Sequence, residues 1–478
     1  MKKSVLPRKT LLLACLLATA LGVKAEVKLP AIFSDGMVMQ QQSNANLWGT
    51  ATAGKQVVIT TGWNNKQYRT KADATGKWQV AVATPKAGGP HTLTFNDGQT
   101  TSLKNVLVGE VWLCSGQSNM EMPMKGFKNQ PVAGANMDVL KSKNPAIRLF
   151  TVKRTSTLLP QTDVVGSWQE AEPKTVYEFS ATAYYFGKLI QEMLQVPVGL
   201  VVTAWGGSAA EAWMTEDMLK AFPDAKIPRT DEDIKSKNRT PTVLYNGMLN
   251  PLIGLTMKGV IWYQGEDNYN RAHTYADMFA TLIKGWRAAW KQGDFPFYYC
   301  QIAPYDYGII TEKGKEVINS AYLREAQAQV EQRVPHTGMA VLLDAGMEKG
   351  IHPSKKNIAG ERLALLALSK TYGFEGVSGE SPYYKAFEVK GDTAIVQFER
   401  APMWITGKDC FESKLFKVAG ADKVFYPAKA WIERSKVYVK SEQVPHPVAV
   451  RYAFDNYVDG DLYGCNGLPI SSFRTDNW

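Results

Sequence analysis

A serine, a histidine and a set of glycines and amides each follow an apolar, strand-like run in this chain. Gly116-Gln-Ser-Asn-Met120 comes directly after the run Val106 to Leu113. A serine hydroxyl at a strand end, here Ser118, can attack a carbonyl carbon when a base and an oxyanion site converge on it. Ala204-Trp-Gly-Gly-Ser208 ends another run, and its paired glycines let a backbone amide come close to a developing oxyanion. Glu211-Ala-Trp-Met214 follows, so that Trp205, Glu211 and Trp213 are candidates for binding a sugar. Trp262-Tyr-Gln-Gly-Glu-Asp-Asn268 gathers two amides and two acids into one loop. There Gln264 can donate to an oxyanion and Asn268 can meet the substrate. Apart from the lone His273, no histidine lies near enough to this loop to complete a metal set.

The base has few candidates. Of five histidines, His91 lies in a β region, and His336 and His446 each neighbour a proline. His352 alone follows a strand-end loop and opens a helix, where it can take the Ser118 proton. Each stretch taken singly has a plainer reading, as a helix cap, a turn, a core tryptophan or a structural histidine. Their order along the chain, each at the end of an expected parallel strand, points to acyl transfer through serine.

The elements that must position these residues can be read from periodicity. Residues 106–377 alternate strand-like and helix-like runs, with strands at Gly199 to Thr203, Lys258 to Tyr263, Phe295 to Ile302 and Met339 to Leu343. Helical stripes cover Ala181 to Gln195, Thr274 to Trp290, Ala321 to Gln332 and Lys356 to Tyr372. This alternation predicts an α/β domain with a parallel sheet, whose ligands sit at the carboxyl ends of the strands. Residues 26–105 carry short alternating runs between turn signals, as a small β-sandwich-like domain does. Residues 378–478 return to alternation, at Thr393 to Phe398, Lys436 to Lys440 and Val448 to Tyr452, and read as a C-terminal β region packed on the core.

Residues 1–25 read as a secretory signal peptide. Lys2, Lys3, Arg8 and Lys9 precede the apolar run Leu11 to Leu21, and Val23-Lys24-Ala25 suits cleavage after Ala25. The expected destination is the periplasm or the exterior, with lipidation at Cys15 as the alternative. The leader holds five of the basic residues and no acid, so the net charge of +10 falls to +5 without it. No basic tract remains to favour nucleic acid, and no later stretch is long and apolar enough for a transmembrane helix. Of the four remaining cysteines, Cys410 and Cys465 share the C-terminal region and are the expected bridge. Cys114 and Cys300 lie in apolar runs, as buried thiols do.

The chain resembles the sialate O-acetylesterase family, a branch of the SGNH (GDSL-like) hydrolases. The resemblance rests on GQSNMEMPM at 116–124, FSATAYYFG at 179–187, WGGSAAEAW at 205–213, LYNGMLNPL at 244–252 and WYQGEDN at 262–268. LREAQ at 323–327, IHPSKKNIAGERLA at 351–364 and GLPISSFRTDNW at 467–478 complete it. It implies a flavodoxin-like SGNH core with flanking β domains, and removal of acetyl esters from sugars without metal or cofactor. Ser118 matches the family nucleophile and His352 its base. The N–H groups of Ser118 and Gly207 match the oxyanion positions, with the 264–268 loop completing the hole.

Two positions depart from the wider group. It has Asp three residues before the histidine, where this chain has Lys349. Asp344 and Glu348 are the nearby acids and a backbone carbonyl is another candidate; Asp344 is the preferred third member. The wider group's Gly-x-Asn-Asp is here Gly265-Glu-Asp-Asn268, so Gln264 or Asn268 takes over the third donor, with Gln264 preferred. The resulting expectation is a secreted serine carbohydrate O-acetylesterase acting on O-acetylated sialic acids. Acetylated xylan or pectin fragments are the alternative substrates, and a non-catalytic sugar-binding protein is the alternative of another class.

Overall fold

Seventeen consecutive residues, Thr100–Gly116, form the strand β1 on which the rest is assembled. The computed structural model describes residues 26–401, 403–409 and 411–478. The expected leader, with Cys15, lies outside these residues, and so does Cys410 of the expected bridge to Cys465. The first half of β1 joins a β layer, pairing antiparallel with Gly88–Asn96 and parallel with Val38–Gln40. The second half enters the central sheet. The boundary at 105/106 therefore falls inside one strand. The change of pattern there marks the passage from a strand with exposed positions to one buried on both faces.

The segment Ser118–Glu121 is a single helical turn, α1, directly after β1. β2 (Asn144–Thr151), β3 (Val198–Ala204), β4 (Gly259–Tyr263), β5 (Phe297–Cys300) and β6 (Thr337–Ala340) make up the rest of the sheet. The order is β2-β3-β1-β4-β5-β6, every pairing parallel, with Trp168–Ala171 antiparallel beyond β2. The main connecting helices are α2 (Ala181–Leu194), α3 (Ala272–Trp290), α4 (Ala321–Arg333) and α5 (Lys356–Leu366).

Side chains alternate across the sheet. Val111 and Leu113 of β1 pack on the face covered by α3 and α4, with Leu282, Trp286, Leu323 and Val330. Trp112 and Cys114 point to the other face, covered by α2 and α5, with Phe186, Ile190, Leu363 and Leu366. A parallel sheet needs this double cover, because neither of its faces carries polar side chains to meet water. Cys114 and Cys300 are buried free thiols in that second layer.

Most predicted elements lie within a few residues of their observed bounds. The strand predicted at Met339 to Leu343 is instead Thr337–Ala340, and the last helix leaves α geometry after Leu366 for a π turn, Ala367–Thr371. Periodicity alone does not predict β2, since Pro145 and Arg148 disguise it. Arg148 is buried, and donates to the carbonyls of Pro145 and Gly36 at 2.8 and 3.2 Å.

Among the described residues the C-terminal region forms two larger antiparallel sheets and a two-stranded one, Ile405–Gly407 with Leu462–Gly464. Of the larger two, one holds Tyr383–Lys390, Thr393–Glu399 and Lys436–Lys440, the other Phe416–Ala419 and Ala449–Tyr452. Arg324 of α4 fastens it to the core: fully buried, it donates to the Asp455 carbonyl at 2.5 Å and to Ser472 Oγ at 3.0 Å. Among the described residues, no helix is long and apolar enough to cross a membrane.

Candidate active site

Ser118 stands where β1 gives way to α1, at the carboxyl end of the sheet, and is 8% exposed. Only glycine serves at the turn before it. Gly116 has φ +139°, and a Cβ there would lie 2.2 Å from the Tyr263 carbonyl oxygen of β4. The Gln117 N–H donates to the same carbonyl at 2.9 Å, and Gln117 Oε1 accepts from the N–H groups of Gly265 and Asp267, both at 3.3 Å. The strand ends β1 and β4 are thus laced together beneath the serine.

The end of β3 closes in from the other side. A Cβ on Gly206 would sit 3.2 Å from Ser118 Cβ, so this glycine lets the two segments touch. The Gly206 N–H donates to Glu121 Oε2 at 2.8 Å, and its carbonyl accepts from Asn238 Nδ2 at 2.6 Å. Gly207 turns with φ +66°. Among the described residues, neither the Ser118 N–H nor the Gly207 N–H has a hydrogen-bond partner. Two free amides beside a serine hydroxyl are what an oxyanion needs.

His352 reaches the site from the loop before α5. Asn119, next to Ser118, donates through Nδ2 to the carbonyl of Ile351, next to His352, at 3.1 Å. The imidazole is half-buried, with the Phe127 ring edge-on at 5.2 Å. Its Nδ1 bonds to Gln130 Oε1. Burial, and then the charge of Lys356, lower its pKa to about 4. Ser118 Oγ and His352 share no direct hydrogen bond among the described residues. In unliganded hydrolases that bond is often long and tightens when substrate arrives.

Several expected residues sit elsewhere. Asp344 does not face His352: its carboxylate is taken by Arg362 in a two-pronged pair at 2.6 and 2.7 Å. Gln264 is fully buried and fully engaged, with Nε2 on the Ser208 carbonyl at 3.0 Å and Asn268 Oδ1 at 2.7 Å, and Oε1 accepting from the Tyr275 hydroxyl at 2.8 Å. It braces the loop and has no hydrogen left for an oxyanion. Asn268, 1% exposed, donates to Glu211 Oε2 at 2.9 Å, and Glu211 also accepts from Arg271 Nε at 3.2 Å. Both are packed behind the site. Trp213 is core: fully buried, it donates to Ser208 Oγ at 2.9 Å and meets Trp262 edge-on. Trp205 alone of the two indoles stays half-exposed at the rim, under the Arg154 guanidinium at 5.6 Å.

The sequence model of the family described as "carbohydrate esterase, sialic acid-specific acetylesterase" matches residues 108–358, the segment that carries Ser118, Gly207 and His352. The chain belongs to that esterase family. The rat sialate O-acetylesterase is 29% identical to this esterase over 441 residues, which cover 80% of each chain. The human sialate O-acetylesterase is 28% identical over 387 residues, covering 75% of this chain and 73% of its own. A solved structure of a carbohydrate acetylesterase from Xanthomonas citri superposes with a TM-score of 0.86 at 35% identity, over 95% of this chain and all of that one.

Membership brings into focus residues of this esterase that motif reading passed over. Asn119 is fully buried, and its carboxamide joins Glu266 Oε1 and Lys356 Nζ. Burial raises the Glu266 pKa, and burial lowers that of Lys356 to about 7 against the opposing pull of Glu266. Lys356 carried a faint sequence signal, as a lysine opening the helix that directly follows the His352 loop. Gln130, in a loop with no periodicity, carried none.

Proposed function

We propose that this carbohydrate acetylesterase uses Ser118 as nucleophile and His352 as general base. His352 Nε2 takes the Ser118 proton as Oγ attacks the acetyl carbonyl carbon. The tetrahedral oxyanion is held by the N–H groups of Ser118 and Gly207, each donor worth roughly 10²–10³ in rate. The imidazolium then protonates the departing sugar oxygen, and the C–O bond to the sugar breaks. Water attacks the acetyl-enzyme with its proton going to His352, acetate leaves, and Ser118 recovers its proton. The observation that carries this reading is the tie from Asn119 to Ile351, which brings the two segments to one strand end beside two unpaired amides.

For substrate, we propose O-acetylated sialic acids. The family description and the names of the mammalian relatives support this. So do the exposed arginines that flank the serine, Arg154 beside Trp205 and Arg239 near Gly207, which suit a sugar bearing a carboxylate. The similarity to a carbohydrate acetylesterase from Xanthomonas citri supports acetyl-ester hydrolysis on a sugar without naming a sialic acid, and acetylated xylan or pectin fragments are the second reading. We further read the core as flavodoxin-like and of SGNH type. Setting aside the outer strand β2, the order β3-β1-β4-β5-β6 follows the 2-1-3-4-5 pattern of that fold. We take residues 26–105, 106–377 and 378–478 as its three units.

Ser118→Ala tests the chemistry. Acetate release is expected to fall at least about 10³-fold with an unchanged circular dichroism spectrum; undiminished release from a folded variant overturns the assignment. Rates on 9-O-acetylated sialic acid and on acetylxylan, measured side by side, decide the substrate.

A further inference from the structure

We propose that Gln130 is the third member of the catalytic set, a neutral carboxamide that orients His352 where serine hydrolases commonly use a carboxylate. The inference rests on the reading of Ser118 and His352 given above. Three observations carry it. Gln130 Oε1 is the atom bonded to His352 Nδ1, and among the described residues no acid bonds to that nitrogen. Asp344 is taken by Arg362 and Glu266 by Asn119, and Glu348 is exposed to solvent with no bond to the imidazole among the described residues.

The residue is also presented rigidly. Phe127 and Gln130 exchange both backbone hydrogen bonds, each at 3.0 Å, closing a tight turn. That turn delivers the Phe127 ring and the Gln130 carboxamide to the same imidazole. Three residues on, the Ala133 N–H donates to the Ser354 carbonyl at 2.9 Å, tying the turn to the histidine loop.

The chemistry follows from which end of the amide faces the ring. Oε1 can only accept, so Nδ1 must carry the proton, and the Nε2 lone pair is left for Ser118. A carboxylate would do the same but would also stabilise the imidazolium. A carboxamide sets the tautomer without that charge, so the base stays unprotonated into acid. The charged groups tied to the histidine loop or to the residues beside Ser118 are Lys356 on α5, Glu266 through Asn119, and Glu121 of α1, which pairs with Arg154. Of these, Lys356 lowers the histidine pKa further.

The experiment compares the kcat/KM pH profile of the wild type with those of Gln130→Glu and Gln130→Ala. The wild-type acid limb is expected near pH 4. Gln130→Glu should retain kcat above neutrality and move that limb upward by about one pH unit or more, because an anion now faces Nδ1. Gln130→Ala should lower kcat about 10- to 100-fold with KM little changed, the cost of losing the tautomer. Nitrogen-15 NMR of His352 in the intact wild type should show a protonated Nδ1 and a bare Nε2. A limb unmoved by Gln130→Glu, an alanine variant within twofold of wild type, or a proton on Nε2 would each overturn the proposal. Ser118→Ala separates the two claims: if it is inactive while the Gln130 variants behave as wild type, only the role of Gln130 falls.

Discussion

Replacing Asn119 by alanine probes the site from beneath. The side chain is fully buried and makes three bonds: to Glu266 Oε1, to the Ile351 carbonyl at 3.1 Å, and from Lys356 Nζ. Two of these involve groups that carry charge, worth about 1.5–3 kcal/mol each, and the third joins a neutral carbonyl at about 1 kcal/mol. Truncation also leaves Glu266 and Lys356 facing each other across a gap too small to be well hydrated, so the bonds are not recovered from solvent. The expected loss of stability is about 4–7 kcal/mol, a large share of what holds a domain together. Urea unfolding followed by tryptophan fluorescence reads it directly. Because the bond to Ile351 also holds the His352 loop, kcat measured below the unfolding transition should fall by more than about tenfold. A variant within 1 kcal/mol of wild type, or one as active, would show that this buried network neither supports the fold nor positions the histidine.

Two further outcomes follow from the same geometry. Gly116→Ala should abolish soluble expression, since its Cβ would meet the Tyr263 carbonyl at 2.2 Å in the last pair of the β1–β4 ladder; a folded, active variant by size-exclusion chromatography and acetate release would contradict this. Asp344→Asn should destabilise the protein by about 3 kcal/mol, through the half-broken pair with Arg362, while leaving the pH profile in place. A shift of the acid limb in that variant would return Asp344 to the histidine.

What could be read from sequence was whatever is local along the chain. Ser118 and His352 each sit beside their own strand end or helix start, and the glycines at 206 and 207 announce a close approach without needing a partner to be known. The alternation of β1 and β3 to β6 with helices was legible for the same reason, because period and length are properties of a short window. Residues defined by what they face across space were not. Gln264 sits at the right place in its motif, but only the fold reveals that Ser208, Asn268 and Tyr275 use all its bonds. Asp344 is the nearest suitable acid in sequence, yet Arg362, from the helix that follows the histidine loop, claims it. Trp213 and Trp205 look alike as letters, and burial alone separates a core ring from one at the rim. Gln130 reaches His352 across 222 residues, and nothing in its neighbourhood foretells that meeting.

The long strand Thr100–Gly116 has a consequence for how this molecule can be taken apart. Its early residues are stitched to the N-terminal layer and its late ones to the heart of the sheet, with Ser118 two residues beyond its tip. Severing the chain at residue 105 would strip the central strand of its antiparallel neighbour and bare the parallel contact with Val38–Gln40. The amino-terminal layer is thus a splint for the strand that carries Ser118 at its tip, and an attempt to harvest the central sheet by itself would begin by loosening the very rod on which the proposed nucleophile is mounted.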